Sequence, residues 1–354
     1  MTIISKFNLK SFVYGTLLIS LISCNSEPDQ DKVEDIVKKD AKVEAYPELK
    51  NQALNFFGVL PEVAENPNNP ITDEKVALGK KLYFDNILSK DNKQSCNTCH
   101  NVNTYGVDNN PFSEGNDGEL GGRNSPSTFN AALHIAQFWD GREPDVEAQA
   151  GGPILNPVEM AMPNEKAVVD RLKKVDEYVT MFKSAFPDDA NPISYDNLKK
   201  AIGAYERKLI TPSKFDDYLA GNTDALTDEE KEGLNTFINV GCTSCHNGVA
   251  LGGNMFQKFG TFGDYWELTK SEKIDNGKFD VTGNEADKYV FKVPSLRNIE
   301  KTYPYFHDGS VADLGEAVKI MAKLQLNKDL TGEEVNSIVT FLKTLTADIP
   351  AELK

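Results

Sequence analysis

The pentapeptide CNTCH, at residues 96–100, recurs with two letters changed as CTSCH at residues 242–246. The chain has 354 residues but only five cysteines and four histidines. The two pentapeptides contain four of those cysteines and two of those histidines. Residues this scarce are not expected to fall twice into one pattern by chance, so the repeat indicates two equivalent binding sites.

C-x-x-C-H is the attachment motif of c-type haem. Two thiols on one helical turn can each bond a haem vinyl group, and the next residue places an imidazole under the iron. A zinc ribbon has its cysteine pairs about 15–20 residues apart, and neither a redox pair nor a disulfide needs the histidine. We therefore predict two covalent haem c groups, held by Cys96, Cys99, His100, Cys242, Cys245 and His246, with the histidines as proximal iron ligands.

The residues before each pentapeptide also repeat, as ITDEKVALGKKLYFD and LTDEEKEGLNTFINVG. Each opens with Thr-Asp-Glu, a helix start, and Thr227 with Glu230 fits a capping box. Few strand-like alternating runs occur anywhere. The sequence predicts a mainly α fold of two tandem cytochrome c-like haem domains with long loops, at residues 51–211 and 212–354. The C-terminal segment is a candidate to pack back on the first domain.

The N-terminus has the pattern of an export signal. Lys6 and Lys10 precede the apolar run FVYGTLLISLIS, which is too short to span a membrane comfortably. The run ends in LISC, which resembles a bacterial lipobox with Cys24 as the lipidated residue. We predict a lipoprotein signal peptide at residues 1–23 and a flexible tether at 24–50. The alternative is a plain secretory signal, with Cys24 removed or left as a free thiol.

The composition is that of an ordinary globular protein, with 40% hydrophobic and 26% charged residues. The formal net charge of −16 argues against a nucleic-acid partner and favours a basic protein partner. Solubility alone would explain the acidity equally well.

The sixth ligand of each iron decides whether it transfers electrons or does chemistry. The segment DLGEAVKIMAKLQL begins at Asp313, a good N-cap, and carries Met321 on its apolar face. Met321 is a candidate ligand of the second iron, and Met255 competes with it. The alternative for Met321 is an ordinary core residue.

The segment 138–160, FWDGREPDVEAQAGGPILNPVEM, lies between the two motifs and is expected to be an irregular loop because of its glycines and prolines. Glu159 could move a proton of bound hydrogen peroxide, and Gln149 could hydrogen-bond the peroxide. Trp139 could lie on the electron path between the haems. The alternatives are a helix-capping Glu159, a surface Gln149 and a core Trp139.

From about residue 50 to 346 the sequence resembles the bacterial dihaem cytochrome c peroxidases and their relative, the tryptophan-modifying dihaem enzyme of methylamine utilisation. The motifs that carry the resemblance are CNTCH, RNSPSTFNAA, QFWDGR, QAGGPILNPVEM, GCTSCH, VPSLRNIEKTYPYFHDGS and AVKIMAKLQL. It implies a low-potential peroxidatic haem at His100 and a high-potential haem at His246, with Met321 as its distal ligand. It also implies Glu159 as catalytic acid/base, Gln149 as its neighbour and Trp139 between the haems.

The resemblance further implies a calcium ion bound by the Asn124 side chain and the carbonyls of Thr302 and Pro304, ligand types that suit this cation. It implies a homodimer that reduces hydrogen peroxide with electrons from a small cytochrome c or cupredoxin. With a lipid on Cys24, the protein would sit on the periplasmic side of a bacterial membrane, and we expect the outer rather than the inner one.

One position departs from the family pattern. Many members have a histidine seven residues before the arginine of the R-N-x-P segment, where it caps the peroxidatic iron until the other haem is reduced. That position is Asn116 here. We therefore hypothesise a peroxidatic haem that is five-coordinate or water-bound at rest and needs no reductive activation. His134 is interpreted as a packing residue, and His307 as structural, near the calcium and the haem propionates.

Two other functions stay open on the sequence. The first is oxidation of residues of a partner protein, and Met321 argues against it because that relative has tyrosine as the ligand. The second is a dihaem electron carrier, which predicts two six-coordinate haems and no effect from Glu159→Gln.

Overall fold

Helices make up most of the regular structure in residues 46–353, the part of the chain that this computed structural model describes. The α-helices in this part are α1 Leu49–Leu54, α2 Asp73–Phe84, α3 Cys96–Cys99, α4 Val146–Leu155, α5 Glu165–Leu172, α6 Asp176–Ala185, α7 Tyr195–Glu206, α8 Lys214–Leu219, α9 Asp228–Val240, α10 Tyr265–Thr269, α11 Phe279–Thr282, α12 Leu314–Leu326 and α13 Gly332–Lys343. Long irregular segments connect them, so the predicted mainly α class is confirmed.

The strands in the described residues are two short ones, β1 Phe256–Lys258 and β2 Val290–Lys292. They pair antiparallel, with Phe256 opposite Lys292. Single turns of 3₁₀-helix occur in the loops, at Asn86–Leu88, Val102–Thr104, Ala131–Leu133, Thr223–Ala225, Cys242–Ser244, Glu285–Asp287, Ile299–Lys301 and Ala351–Leu353.

The helix starts follow the capping signals in the sequence. The N–H of Lys75 donates to Thr72 Oγ1 at the start of α2, as predicted for the first Thr-Asp-Glu. At the start of α9 the Thr227 N–H donates to Glu230 Oε2 (2.9 Å) and the Glu230 N–H to Thr227 Oγ1 (3.3 Å), which is the predicted capping box. Each such cap contributes about 1 kcal/mol to stability.

The first hydrophobic core is built around α2, α4 and α7. The axes of α2 and α7 approach so closely that a Cβ added at Gly79 would lie 1.9 Å from the Ala201 carbonyl oxygen. Only glycine therefore permits this crossing. The core includes the fully buried Tyr83 and also Leu353, next to the C-terminus.

The second core is built around α9 and α13, with α1 and α8 against them. Here a Cβ at Gly233 would lie 2.2 Å from the Ser337 carbonyl oxygen, so this crossing also requires glycine. The rings of Phe215 and Phe341 meet edge to face, with centroids 5.2 Å apart. A smaller apolar cluster surrounds α10 and α12.

Each end of the described chain packs in the core that is built mainly from the other half of the chain. The helix α1, which is N-terminal, buries Leu49 and Ala53 in the second core. The C-terminal turn reaches the first core, where Tyr205 Oη donates to the Leu353 carbonyl oxygen (2.8 Å). The division into haem domains at residues 51–211 and 212–354 stays a prediction.

Within residues 46–353 no helix combines the length and the apolar character needed to cross a membrane. The predicted signal peptide, most of the tether and Cys24 lie outside the described residues.

Candidate active site

The first pentapeptide forms a single helical turn. Its helix, α3, begins after Ser95, whose N–H donates to Thr98 Oγ1 (3.0 Å). The His100 N–H donates to the Cys96 carbonyl oxygen (2.9 Å), which closes the turn. Buried Tyr83 donates its hydroxyl to the His100 carbonyl oxygen (2.6 Å), so the histidine backbone is fixed from the first core.

The second pentapeptide closes in the same way, with the His246 N–H donating to the Cys242 carbonyl oxygen (2.9 Å). It begins where α9 ends at Gly241, whose φ of 103° only glycine adopts readily. The ring nitrogen Nδ1 of His246 is 3.3 Å from the Leu251 carbonyl oxygen. A bond there orients the ring and leaves Nε2 as the nitrogen for an iron, as is usual for histidine ligands.

Burial favours the neutral forms of both histidines and of a cysteine in each motif. Burial lowers the pKa of His246 to about 4 and lowers that of His100, so both rings are neutral at pH 7. Burial raises the pKa of Cys99 to about 11 and that of Cys242 to about 12. The thiols of both motifs form no disulfide with each other or with another described residue.

The first cavity brings together the residues predicted for peroxide chemistry. It is lined by both thiols of the first motif and by His100, Gln149 and Glu159. Of the four histidines, all of which are described, only His100 lines it. Met160 also borders it, but its side chain belongs to the first core. The side of the cavity opposite His100 therefore has no histidine.

Glu159 is largely shielded from solvent at a turn after α4. Burial raises the pKa of its carboxyl group, and a hydrogen bond from Asn156 Nδ2 to Glu159 Oε1 (2.8 Å) and the charge of Arg142 partly oppose this. The guanidinium of Arg142 lies 3.4 Å from the centroid of the Phe138 ring and is bonded to Asp140. The carboxyl thus has one hydrogen-bond donor, Asn156, and one cation nearby, Arg142.

Asn116 does not line the first cavity. Its side chain is buried, accepts from the Asp91 N–H (3.2 Å), and donates to the carboxylates of Asp91 and Asp117. Its backbone N–H donates to the Glu159 carbonyl oxygen (2.7 Å). Asn116 therefore holds the backbone of the predicted acid/base, a role that the sequence did not reveal.

The segment that contains Gln149 is a helix, so the prediction of an irregular loop over 138–160 is wrong for Val146–Leu155. Asp145 caps α4 by accepting from the Ala148 N–H (2.8 Å). The helix packs closely on α7, where a Cβ added at Gly151 would lie 2.8 Å from Lys199 Cδ. Tertiary packing outweighs the low helix propensity of Gly-Gly-Pro.

The second cavity brings Met321 to the second motif. It is lined by Cys242, Cys245, His246 and, from α12, Met321. The competing Met255 is not among its lining residues, and the backbone carbonyl of Met255 accepts from the Val293 N–H (3.0 Å). Of the two methionines considered as iron ligands, the structure places only Met321 in reach of this cavity.

Trp139 lines both cavities. Its Nε1–H donates to the Asn124 carbonyl oxygen (2.9 Å), which fixes the indole plane. The ring of His307 lies 6.3 Å away, centroid to centroid, at 73°. An indole that borders both sites is well placed between them.

Asn124, Thr302 and Pro304 all border the second cavity. Asn124 Nδ2 donates to the Asn110 carbonyl oxygen (2.9 Å), and the Tyr303–Pro304 peptide bond is cis. Among residues 46–353 no group of three His, Cys, Asp or Glu side chains is arranged to hold a metal ion. Any cation here would rely on amide and carbonyl oxygens.

The polar contacts of two residues at the cavities were not predicted from the sequence. His134, interpreted as a packing residue, has Nδ1 3.1 Å from the ammonium of buried Lys292, and both line the second cavity. Arg123, at the first cavity, is bonded to both Asp140 and Asp275. Lys292 and Asp275 lie more than 150 residues from His134 and Arg123 respectively, so no local pattern links them.

Comparisons with known proteins show the family of the chain. A family model described as di-haem cytochrome c peroxidase matches residues 73–224. Cytochrome c551 peroxidase of Pseudomonas aeruginosa is 45% identical over 304 residues, which cover 85% of this chain and 87% of that protein. The chain belongs to the dihaem cytochrome c peroxidase family.

Two further relatives of this chain bear on its function. Methylamine utilization protein MauG of Methylorubrum extorquens is 33% identical over 81% of this chain and 83% of that protein. The crystal structure of a MauG-like protein associated with microbial copper homeostasis is similar with a TM-score of 0.74 at 29% identity, covering 83% of this chain and 96% of that one. The family recognised from the sequence motifs is confirmed.

Membership of the dihaem peroxidase family implies two haem c groups. The residues fit them, because each cavity is bordered by two thiols and a neutral imidazole on one turn.

Proposed function

We propose that the chain is an exported dihaem cytochrome c peroxidase. It reduces one hydrogen peroxide to two waters with two protons and two electrons, and the electrons come singly from a small cytochrome c or cupredoxin. The observation that carries this is the difference between the cavities. The first has Glu159 and Gln149 with no second histidine, and the second has both His246 and Met321.

The haem at His100 would supply the iron that binds and reduces peroxide, and the haem at His246 would supply a stored electron. Glu159 would take the proton from one peroxide oxygen and return it to the other, which leaves as water. A carboxyl with a raised pKa suits a group that both accepts and donates a proton near neutral pH. Gln149 would hydrogen-bond the peroxide without titrating.

Met321 is proposed as the distal ligand of the second iron. A methionine ligand raises the haem potential and closes the sixth position, which suits electron storage. Trp139 is proposed as the group between the haems, since it borders both cavities.

The first iron is proposed to be open at rest. Asn116 has its side chain bonded to Asp91 and Asp117, outside the cavity, and no histidine takes its place. The fully oxidised enzyme would then turn over without prior reduction of the other haem.

Several finer features rest on the family resemblance. Calcium would be bound by the Asn124 side chain and the carbonyls of Thr302 and Pro304, which border one cavity. We also propose two tandem haem domains, a homodimer, and a lipid on Cys24 that places the protein at the periplasmic side of a bacterial membrane, outer rather than inner.

The test starts from the fully ferric, haem-loaded protein. Peroxide-dependent oxidation of a pre-reduced small cytochrome c is measured for the wild type and for Glu159→Gln. Turnover by the wild type without prior reduction supports both the peroxidase and the open iron. Turnover only after reduction rejects the open iron, as would a purely low-spin ferric EPR spectrum.

No turnover under either condition rejects the peroxidase. The alternatives are then the electron carrier and the enzyme that oxidises residues of a partner protein, as the similarity to MauG allows. Met321 in the second cavity makes the protein-modifying enzyme the weaker of the two.

A further inference from the structure

Lys292 is a buried cation without an anionic partner. The residue is 6% exposed, on β2, and lines the second cavity. Within residues 46–353 no carboxylate lies within ion-pair distance of its ammonium; the polar group that it contacts is His134 Nδ1, at 3.1 Å. A buried charge is costly unless a counter-charge or hydrogen bonds compensate it. The cavity is therefore expected to receive an anion at this point.

The protonation of the pair follows from its geometry. An ammonium can only donate, so His134 Nδ1 accepts and the ring proton is on Nε2. Burial and the charge of Lys292 keep the pKa of His134 well below its usual value, and burial lowers the pKa of Lys292 to about 8. At pH 7 the lysine is thus charged and the histidine neutral. The His134 Nε2–H is buried and has no acceptor among the described residues.

Both side chains are held in place by the backbone around them. The Lys292 N–H donates to the Trp139 carbonyl oxygen (2.8 Å), and its Cα pairs with Phe256 across the two strands. The His134 ring packs on Gly253, where an added Cβ would lie 2.2 Å from Cδ2 of the ring. The backbone that carries Lys292 and the plane of the His134 ring are therefore positioned by neighbouring segments, and the two side chains contact each other.

We propose that Lys292 and His134 form a carboxylate-binding site that takes a propionate of the haem attached at Cys242 and Cys245. This proposal depends on the proposed function only because it requires the haem attached at Cys242 and Cys245. A haem carries two carboxylates, and this site offers one cation and one neutral N–H donor at the wall of the cavity that holds His246.

The site also sets the potential of the second haem. A fixed positive charge near an iron disfavours the ferric state, which carries one more positive charge than the ferrous state. Lys292 therefore raises the potential, in addition to the effect of Met321. Hydrogen bonds and burial are established levers on haem potential.

The first experiment is a crystal structure of the haem-loaded protein. We expect a propionate oxygen within hydrogen-bonding distance of Lys292 Nζ or His134 Nε2. Propionates that contact His307 or solvent, with neither Lys292 nor His134 bonded to them, would overturn the proposal. This measurement does not depend on any variant folding.

The second experiment compares Lys292→Met with Lys258→Met in a spectroelectrochemical titration. Lys258 is an exposed residue of β1 in the same sheet, so it controls for the loss of one charge. At a fixed ambient potential we expect Lys292→Met to lower the ferrous-to-ferric ratio of the second haem at least tenfold, which is about 59 mV for one electron. Lys258→Met should leave it unchanged.

An unchanged potential in Lys292→Met, with both haems attached, would reject the proposal and leave the peroxidase intact. Attachment is counted independently, by the pyridine haemochrome absorbance per chain. A wild type that attaches no haem would instead reject the proposed function. If Lys292→Met does not attach haem, the crystal structure of the wild type decides.

Discussion

At the scale of the residue, the two cavities differ in the side chains that line them together with the histidine. Glu159 and Gln149 are among the polar residues that line the first, and the thioether of Met321 from α12 lines the second. The sequence predicted these residues because each lies in a short motif. It did not predict the partner of Lys292, because His134 lies 158 positions earlier. A contact between residues so far apart in the chain leaves no pattern in the local sequence.

Substitution of Glu159 tests the assignment of the acid/base. We expect Glu159→Gln to lower kcat about 10²–10⁴-fold, the usual contribution of a positioned acid/base. Because the carboxylate must accept a proton first, wild-type kcat/KM should fall as pH drops through the pKa of Glu159. That pKa is raised, so the acid limb should lie above about 4.3, the usual glutamate value.

The control for Glu159 is Glu114→Gln, since Glu114 lines the same cavity. It should retain both kcat and the acid limb. Equal losses in the two variants would contradict a specific role for Glu159.

We expect the buried carboxyl of Glu206 to make the stability of the folded protein depend on pH. It is 4% exposed at the first cavity, and burial, together with the charge of Glu147, raises its pKa to about 8. The unfolded chain has the ordinary value near 4.3. Folding thus favours the protonated form, and stability is lost as pH rises from about 4.3 through 8, by a few kcal/mol in order of magnitude.

The measurement is the melting temperature of the haem-loaded wild type and of Glu206→Gln between pH 5 and 9. The variant should fall less steeply and be relatively more stable at the alkaline end. Parallel curves would show that Glu206 does not titrate in this range.

At the scale of the element, the helix starts were predictable and α4 was not. The caps at Thr72, Thr227 and Asp313 are local hydrogen bonds between neighbours in sequence, so the residue types suffice. Helix α4 contains Gly-Gly-Pro, and its formation depends on packing against α7, which no local pattern reports. The two helix crossings depend likewise on partners more than a hundred residues away.

The crossing of α2 and α7 predicts the effect of Gly79→Ala. The new methyl would collide with the Ala201 carbonyl, so the helices must separate at a cost of about 1–3 kcal/mol or more. Gly332→Ala in α13 is the matched control, since a Cβ there has nothing within 4 Å. Thermal unfolding should show a lower midpoint for Gly79→Ala and an equal or slightly higher one for Gly332→Ala. Equal midpoints would refute the crossing.

At the scale of the whole molecule, we expect the net charge of −16 to affect the rate at which the protein associates with its electron donor. Opposite charges steer association, and salt screens this effect. With a basic cytochrome c as donor we expect kcat/KM to fall as ionic strength rises. An uncharged dye as donor is the control and should show no such fall. A rate for the basic cytochrome that is independent of salt would mean that the acidity serves solubility.

The exchange of chain ends between the two cores has a consequence for how the protein can be divided. The core around α2 includes Leu353, and the core around α9 includes residues of α1. A cut between α7 and α8 would therefore leave each product without a segment that packs in its core. We expect neither product alone to reach the stability of the whole chain.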